Sequence, residues 1–143
     1  SHFQVHGNYS PLSPSGLILR HHLSQGDYQL DLKNTVFYQD PGQFTGFKSA
    51  SLVCEQAQNQ RPLNTIALDV LYLAQDTGLI PDDWYELSVY FAGTSFWDPR
   101  HEVVRVPCLT RSGYRWGIHY YDVTNNYFGR FDVVICGLPS LFT

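Results

Sequence analysis

The sequence predicts an α+β fold: an antiparallel sheet whose C-terminal half is a four-strand meander, with one or two helices packed on it. An all-β sandwich is the alternative. Three observations lead there. From Tyr85 onward apolar residues alternate with period two, the pattern of strands with one face buried. Between Leu63 and Ala74 the period is helical instead, with Ile66, Ala67, Val70 and Leu71 on the same stripe. The 143 residues are 43% hydrophobic and 15% charged, enough for one cored domain and too apolar for disorder.

Taken in order, residues 7–16, "GNYSPLSPSG", are rich in Pro, Ser and Gly, so 1–16 reads as a flexible lead-in or linker and 17–143 as the domain. "GLILRHHL" and "DYQLDLK" read as two short strands, the second alternating Tyr28, Leu30 and Leu32 with charged or polar partners. "YQDPGQFTG" reads as a loop. Residues 47–59 fit helix or strand, and helix is the preferred reading. A clearer helix is expected over 64–77, capped by Asn64 or Thr65 and stopped by Gly78 and Pro81.

The meander then runs from Tyr85 to Cys136. Tyr85, Leu87, Val89 and Phe91 alternate in its first strand. "HEVVRVPCL" is the second, with Val104, Val106 and Cys108 inward if the preceding loop has three residues and Val103 and Leu109 inward if it has four. The last two strands lie within "SGYRWGIHYYDVTNNYFGRFDVVICG". A two-residue turn at Asn125-Asn126 sets Tyr120 against Phe131, Ile118 against Val133 and Trp116 against Ile135, all on one side of the pleat. The other side then sets Tyr121 against Arg130 and His119 against Asp132.

Alternate loops of a meander share one end of the sheet. The loop 93–100, "GTSFWDPR", is therefore expected beside the 124–126 turn, gathering Trp97, Asp98, Arg100, Asn125, Asn126 and Tyr127. An aromatic face beside carboxylate and amide groups suits a sugar, whose C–H face stacks while its hydroxyls bond in pairs, or a peptide. The leading functional expectation is accordingly a non-catalytic recognition domain for a glycan or a partner protein. A cysteine-dependent hydrolase is the enzymatic alternative, with Cys54 as nucleophile, His119 as base and Asp132 as its orienter. A third possibility is a single-stranded nucleic-acid surface made by Arg111, Arg115, Arg130 and Tyr121. The net charge of -4 speaks against that last reading, although seven of the nine basic residues are Arg and five of those fall between 100 and 130.

No phosphate-binding glycine loop, dinucleotide fingerprint or zinc-type cysteine pairing occurs, so no cofactor or metal is expected. Cys54, Cys108 and Cys136 cannot all pair within the chain and read as structural thiols, with one disulfide as the alternative. No apolar run is long enough for a membrane span. Ser1-His2 resembles a remnant of cloning, which leaves the compartment open.

Overall fold

The computed structural model describes residues 4–5, 18–23, 26–31, 36–45, 48–60, 64–66 and 80–137. Among them the chain forms, in order, β1 (Gln4–Val5), β2 (Ile18–Leu23), β3 (Gly26–Asp31), β4 (Val36–Tyr38), a 3₁₀ turn (Pro41–Thr45), α1 (Ala50–Gln58) and β5 (Asn64–Thr65). A second 3₁₀ turn (Asp82–Trp84) precedes β6 (Ser88–Tyr90), β7 (Phe96–Asp98), β8 (Val103–Ser112), β9 (Arg115–Asp122) and β10 (Asp132–Gly137). β2 and β3 pair antiparallel as a sheet of their own, and the other strands form one mixed, open sheet.

The ten-residue β8 organises this sheet. One of its edges carries β9 along its length, from Arg105 opposite Asp122 to Ser112 opposite Arg115. Its other edge carries β6 and then β7: Val89 faces Leu109 and Tyr90 faces Cys108, while Phe96 faces Arg105. Residues 91–95 therefore stand opposite only Val106 and Pro107 and leave the ladder. Pro107 has no N–H to offer a neighbouring strand, and it sits where none is needed; its carbonyl accepts the Phe91 N–H at 2.9 Å. β10 pairs parallel with β6, and β5 continues the same edge, so Cys136 has Val36 of β4 on one side and Thr65 on the other.

Of the expected four-strand meander, β6 pairs antiparallel with β8 and β8 with β9, but the fourth strand, β10, does not pair with β9: the chain crosses back to the inside of the sheet beside β6, and β7 joins β8 from the loop expected at 93–100. The reason lies in β10 itself. Val133, Val134, Ile135 and Cys136 are all buried, so both faces of that strand are apolar and it belongs between neighbours rather than at an edge. The turn expected at Asn125-Asn126 falls instead at Gly113-Tyr114. Gly113 has φ +61°, the left-handed backbone that a two-residue hairpin loop requires and that glycine adopts without steric cost. Residues 124–126 instead form a turn held by Asp122, whose carboxylate accepts the N–H groups of Thr124 (2.8 Å) and Asn125 (3.1 Å).

With the register changed, Val133 and Ile135 are buried and Trp116 is half-buried, but Ile118, Tyr120 and Phe131 are exposed rather than core. The helix expected over 64–77 begins as strand β5; residues 67–79 lie outside the described residues. So does the lead-in apart from Gln4–Val5, which pairs with Trp97 and Phe96 of β7.

Two cores cover the two faces of the sheet. On one, Ile66, Ile80, Trp84, Val89, Phe91, Leu109, Val133 and Ile135 pack together. On the other lies α1, which presents Ala50, Val53, Cys54 and Ala57 at helical spacing to Tyr90, Val106, Cys108, Val134 and Cys136. The start of α1 is fixed by the segment after β9. The carbonyls of Asn126 and Val123 accept the N–H groups of Ala50 and Ser51, both at 2.9 Å, and Ser49 Oγ accepts that of Leu52. Phe128, fully buried, anchors that segment with its ring centroid 4.3 Å from Tyr90.

Candidate functional site

The loop end that carries Trp97 is built around Asp98. Its carboxylate accepts Arg105 Nε at 2.9 Å, contacts His101 Nδ1 at 2.9 Å and accepts the backbone N–H groups of Arg100 (3.0 Å) and His101 (3.3 Å). Burial by itself pushes this carboxyl upward, but the hydrogen bonds from Arg105 and His101 outweigh it and hold the group at about 2. Arg105 also reaches the Tyr120 carbonyl at 3.2 Å. Across β8, Asn125 Nδ2 donates to Asp122 and Asn126 Nδ2 to the Asp122 carbonyl, and Thr124 Oγ1 accepts the Val104 N–H. Trp97 is half-buried in β7 opposite Gln4 and Val104.

The two loops do share one end of the sheet, because β7 and β9 flank the first residues of β8. The side-chain polar groups of Asp98, Asn125 and Asn126 are engaged locally, however, Asp98 with residues 100–105 and the two amides with Asp122. Tyr127 departs from the set, bridging to Ser49 at the start of α1. His101 and Arg105 are the members that the sequence reading missed. A four-residue loop 99–102 places Val103 opposite Asp98, and Arg105 is then the next residue on the same side of β8, within diagonal reach of the carboxylate.

Cys54, His119 and Asp132 are not assembled. The strand order β9–β8–β6–β10 separates His119 from Asp132 by three strand spacings, about 14 Å. His119 is exposed and faces Cys108, while Asp132 accepts Gly129 N–H at 2.6 Å and Tyr90 Oη at 3.2 Å. Cys54 is buried, and that burial, with Cys136 nearby, pushes its thiol up to about 12, away from the thiolate that a nucleophile needs. The cleft beside it, about 160 Å³, has Ser51, Glu55, Gln58 and Ser95 among its walls and no histidine. All three cysteines are buried free thiols. The arginine surface is also dispersed. Tyr121 packs edge-on to Tyr90 with centroids 5.3 Å apart, and Arg111 is stacked on Tyr85 rather than open to a base.

A different concavity lies at the other end of the sheet. Asp82, Asp83, Tyr85, Glu86, Leu87 and Phe131 line a cavity of about 400 Å³. The 3₁₀ turn Asp82–Trp84 buries Trp84 against Phe37, with centroids 5.5 Å apart, and this turns Asp82, Asp83, Tyr85 and Glu86 outward. The far wall is fixed by the Ser88 N–H donating to the Phe131 carbonyl at 2.9 Å. Tyr85 is 48% exposed and Phe131 55%, so both rings keep part of their surface open. Both already meet guanidinium groups of this chain: Arg111 Cζ lies 3.9 Å from the Tyr85 centroid and Arg130 Cζ 5.9 Å from that of Phe131. Asp82, Asp83 and Glu86 are exposed and make no ion pair among the described residues. In sequence Tyr85 stands as the first residue of an alternating strand, and the signal for this site is "PDDWYE", three carboxylates interleaved with two aromatics.

No protein-family model matches the chain, and neither the curated proteins nor the solved structures include one detectably similar to it. Among the described residues no cluster of His, Cys, Asp and Glu is placed to hold a metal ion, and no helix is long and apolar enough to cross a membrane.

Proposed function

We propose that this protein is a non-catalytic recognition domain that binds a partner protein, and that the cavity between Tyr85 and Phe131 receives a basic side chain of that partner. The observation that carries this reading is the lining of a single cavity by two half-exposed aromatic rings and three carboxylates without ion-pair partners among the described residues. A guanidinium or ammonium group is attracted both by ring faces and by carboxylates, and planar guanidinium suits the pair better. Exposed aromatics ringed by polar groups are also the usual composition of protein interfaces.

Glycan recognition through Trp97, Asp98, Arg100, Asn125, Asn126 and Tyr127 is the weaker reading. A sugar needs polar groups whose hydrogen bonds are available, and those of Asp98, Asn125 and Asn126 hold the loops themselves. The test is fluorescence anisotropy of a dye-labelled peptide of alternating arginine and glycine. Saturable binding that weakens with salt is expected. It should vanish in the double variant Asp83→Asn, Glu86→Gln and persist in Trp97→Ala. No saturable binding, or binding lost only in Trp97→Ala, contradicts the reading.

A further inference from the structure

Arg111 stands near the tip of the β8–β9 hairpin, directly opposite Trp116. Opposed residues of an antiparallel ladder share a side of the pleat, so Arg111 and Trp116 lie two positions beyond Leu109 and Ile118 on the same side. Leu109 and Trp84 are buried in one core, with Trp116 and Leu87 packed against it, which sets Arg111 at the rim of that core beside the Asp82–Trp84 turn. The turn delivers Tyr85. Arg111 Cζ lies 3.9 Å from the Tyr85 ring centroid, 5.8 Å from that of Trp116 and 5.9 Å from that of Tyr114. Its Nε donates to the Gly113 carbonyl at 2.9 Å.

Three rings and a backbone carbonyl thus hold this guanidinium in place, and they leave its two terminal nitrogens without a partner. Among the described residues Nη1 and Nη2 make neither a hydrogen bond nor an ion pair. Arg105 behaves differently, giving Nε to the Asp98 carboxylate and Nη1 to the Tyr120 carbonyl. A guanidinium that is stacked on rings yet open at its Nη edge is preorganised for a planar anion. It can make two parallel N–H···O bonds to the oxygens of one carboxylate, with little side-chain freedom left to lose.

Tyr85 joins this seat to the cavity already described, because its ring is also one of the cavity's walls. We infer that Arg111 receives a carboxylate of the same partner whose basic side chain enters the cavity, so that the recognised segment carries an acidic and a basic residue close together. The inference rests on the recognition reading of that cavity. In an extended segment residues two apart project to the same side about 7 Å from each other, enough to step past a single aromatic ring. Charge favours a carboxylate over a phosphate as the anion. Asp82, Asp83 and Glu86 line the adjoining cavity and repel a dianion more strongly than a single negative charge.

Anisotropy titrations with three dye-labelled peptides of equal length test the seat: repeats of Arg-Gly-Glu-Gly, of Arg-Gly-Gln-Gly and of Arg-Gly-phosphoserine-Gly. The chain's net charge of -4 attracts the more cationic glutamine peptide, so a preference for glutamate has to come from a local contact. The wild type should bind the glutamate peptide about fivefold more tightly than the glutamine peptide, and the phosphoserine peptide less tightly than the glutamate one. Arg111→Gln should bring the glutamate and glutamine affinities together by weakening the glutamate peptide alone; the glutamine peptide, still bound, reports an intact cavity. Arg111→Lys keeps a positive charge but loses the planar fork, and should retain only part of the preference. Equal affinities in the wild type, a glutamate preference that survives Arg111→Gln, or tightest binding of the phosphoserine peptide each overturns the carboxylate seat and leaves recognition of the basic side chain standing. Binding of none of the three peptides overturns the cavity reading and the seat with it.

Discussion

The two ends of the sheet are both rich in acidic and aromatic residues, yet they use them in opposite ways. At the end formed by β7, β8 and β9, Asp98 is buried beneath Arg105 and His101, and Asp122 and Asn125 close on each other. At the end formed by the Asp82–Trp84 turn and Phe131, the carboxylates and rings face outward around a cavity. A carboxylate that meets four donors within its own fold is a structural device. One left exposed beside such rings, with no ion pair among the described residues, is available for recognition. Residue type alone does not separate these cases; the hydrogen-bond partners do.

The sharpest way to break this comparison is to disrupt the structural end through its core. Phe128 holds the 123–128 segment over the start of α1 and is fully buried, so Phe128→Ala should destabilise by about 3–5 kcal/mol in denaturant titration. Asp98→Asn comes next and should lower the melting temperature clearly at neutral pH. The folded chain holds Asp98 at about 2 against an ordinary 3.8, so its contribution is present above 3.8 and lost as pH falls through about 2. The difference between wild type and Asp98→Asn should therefore shrink as pH approaches 2.

Asp132 has the opposite sign. Burial raises its carboxyl despite the Gly129 N–H and the Tyr90 hydroxyl, so the folded state disfavours its charge. Its effect on stability is most favourable below the ordinary carboxylate value and declines as pH rises through the raised one. Asp132→Asn should flatten the decline in that window, as read by melting temperature against pH. A parallel response of Asp98→Asn and Asp132→Asn to pH contradicts the contrast between these two carboxylates.

Much of the fold's local content was legible in sequence and much of its topology was not. The runs that became β2, β3, β6, β8, β9 and β10 read as extended, and the 47–59 segment that holds α1 fitted helix or strand with helix preferred. The antiparallel pairing of β8 with β6 and with β9 followed from the meander; the place of β10 did not. Alternation on one face of β9 and β10 made an Asn125-Asn126 hairpin self-consistent, because Trp116, Ile118 and Tyr120 matched Ile135, Val133 and Phe131 in kind. What distinguished the strands was the other face: apolar Val134 and Cys136 in β10, polar Arg115 and His119 in β9. A strand apolar on both faces goes to the interior and one polar on a face goes to the edge. At the candidate site, Asp98 and Asn125 were legible as residues but not as engaged ones, since Arg105 reaches Asp98 only through the β7–β8 register. The cavity was hidden because Trp84 turns inward while its neighbours Asp83 and Tyr85 turn outward.

Smaller effects refine the picture. Gly113→Ala meets no atom within 4 Å of the new Cβ, so its cost is that of a left-handed backbone alone, about 1 kcal/mol. Asn125 has no left-handed backbone, and Asn125→Ala should cost about half of that or less through the lost bond to Asp122. Tyr85→Ala, at a half-exposed ring, should change stability by a similarly small amount, about 0.5 kcal/mol, while removing peptide binding.

The most direct test of the recognition account is amide chemical-shift mapping of the full chain titrated with the arginine–glycine peptide. The account predicts saturable shifts at Asp82, Asp83, Tyr85, Glu86 and Phe131, with the amides of Trp97, Arg100, Asn125 and Asn126 unmoved. Shifts concentrated at Trp97, Arg100, Asn125 and Asn126, or no saturable shift anywhere, contradict it.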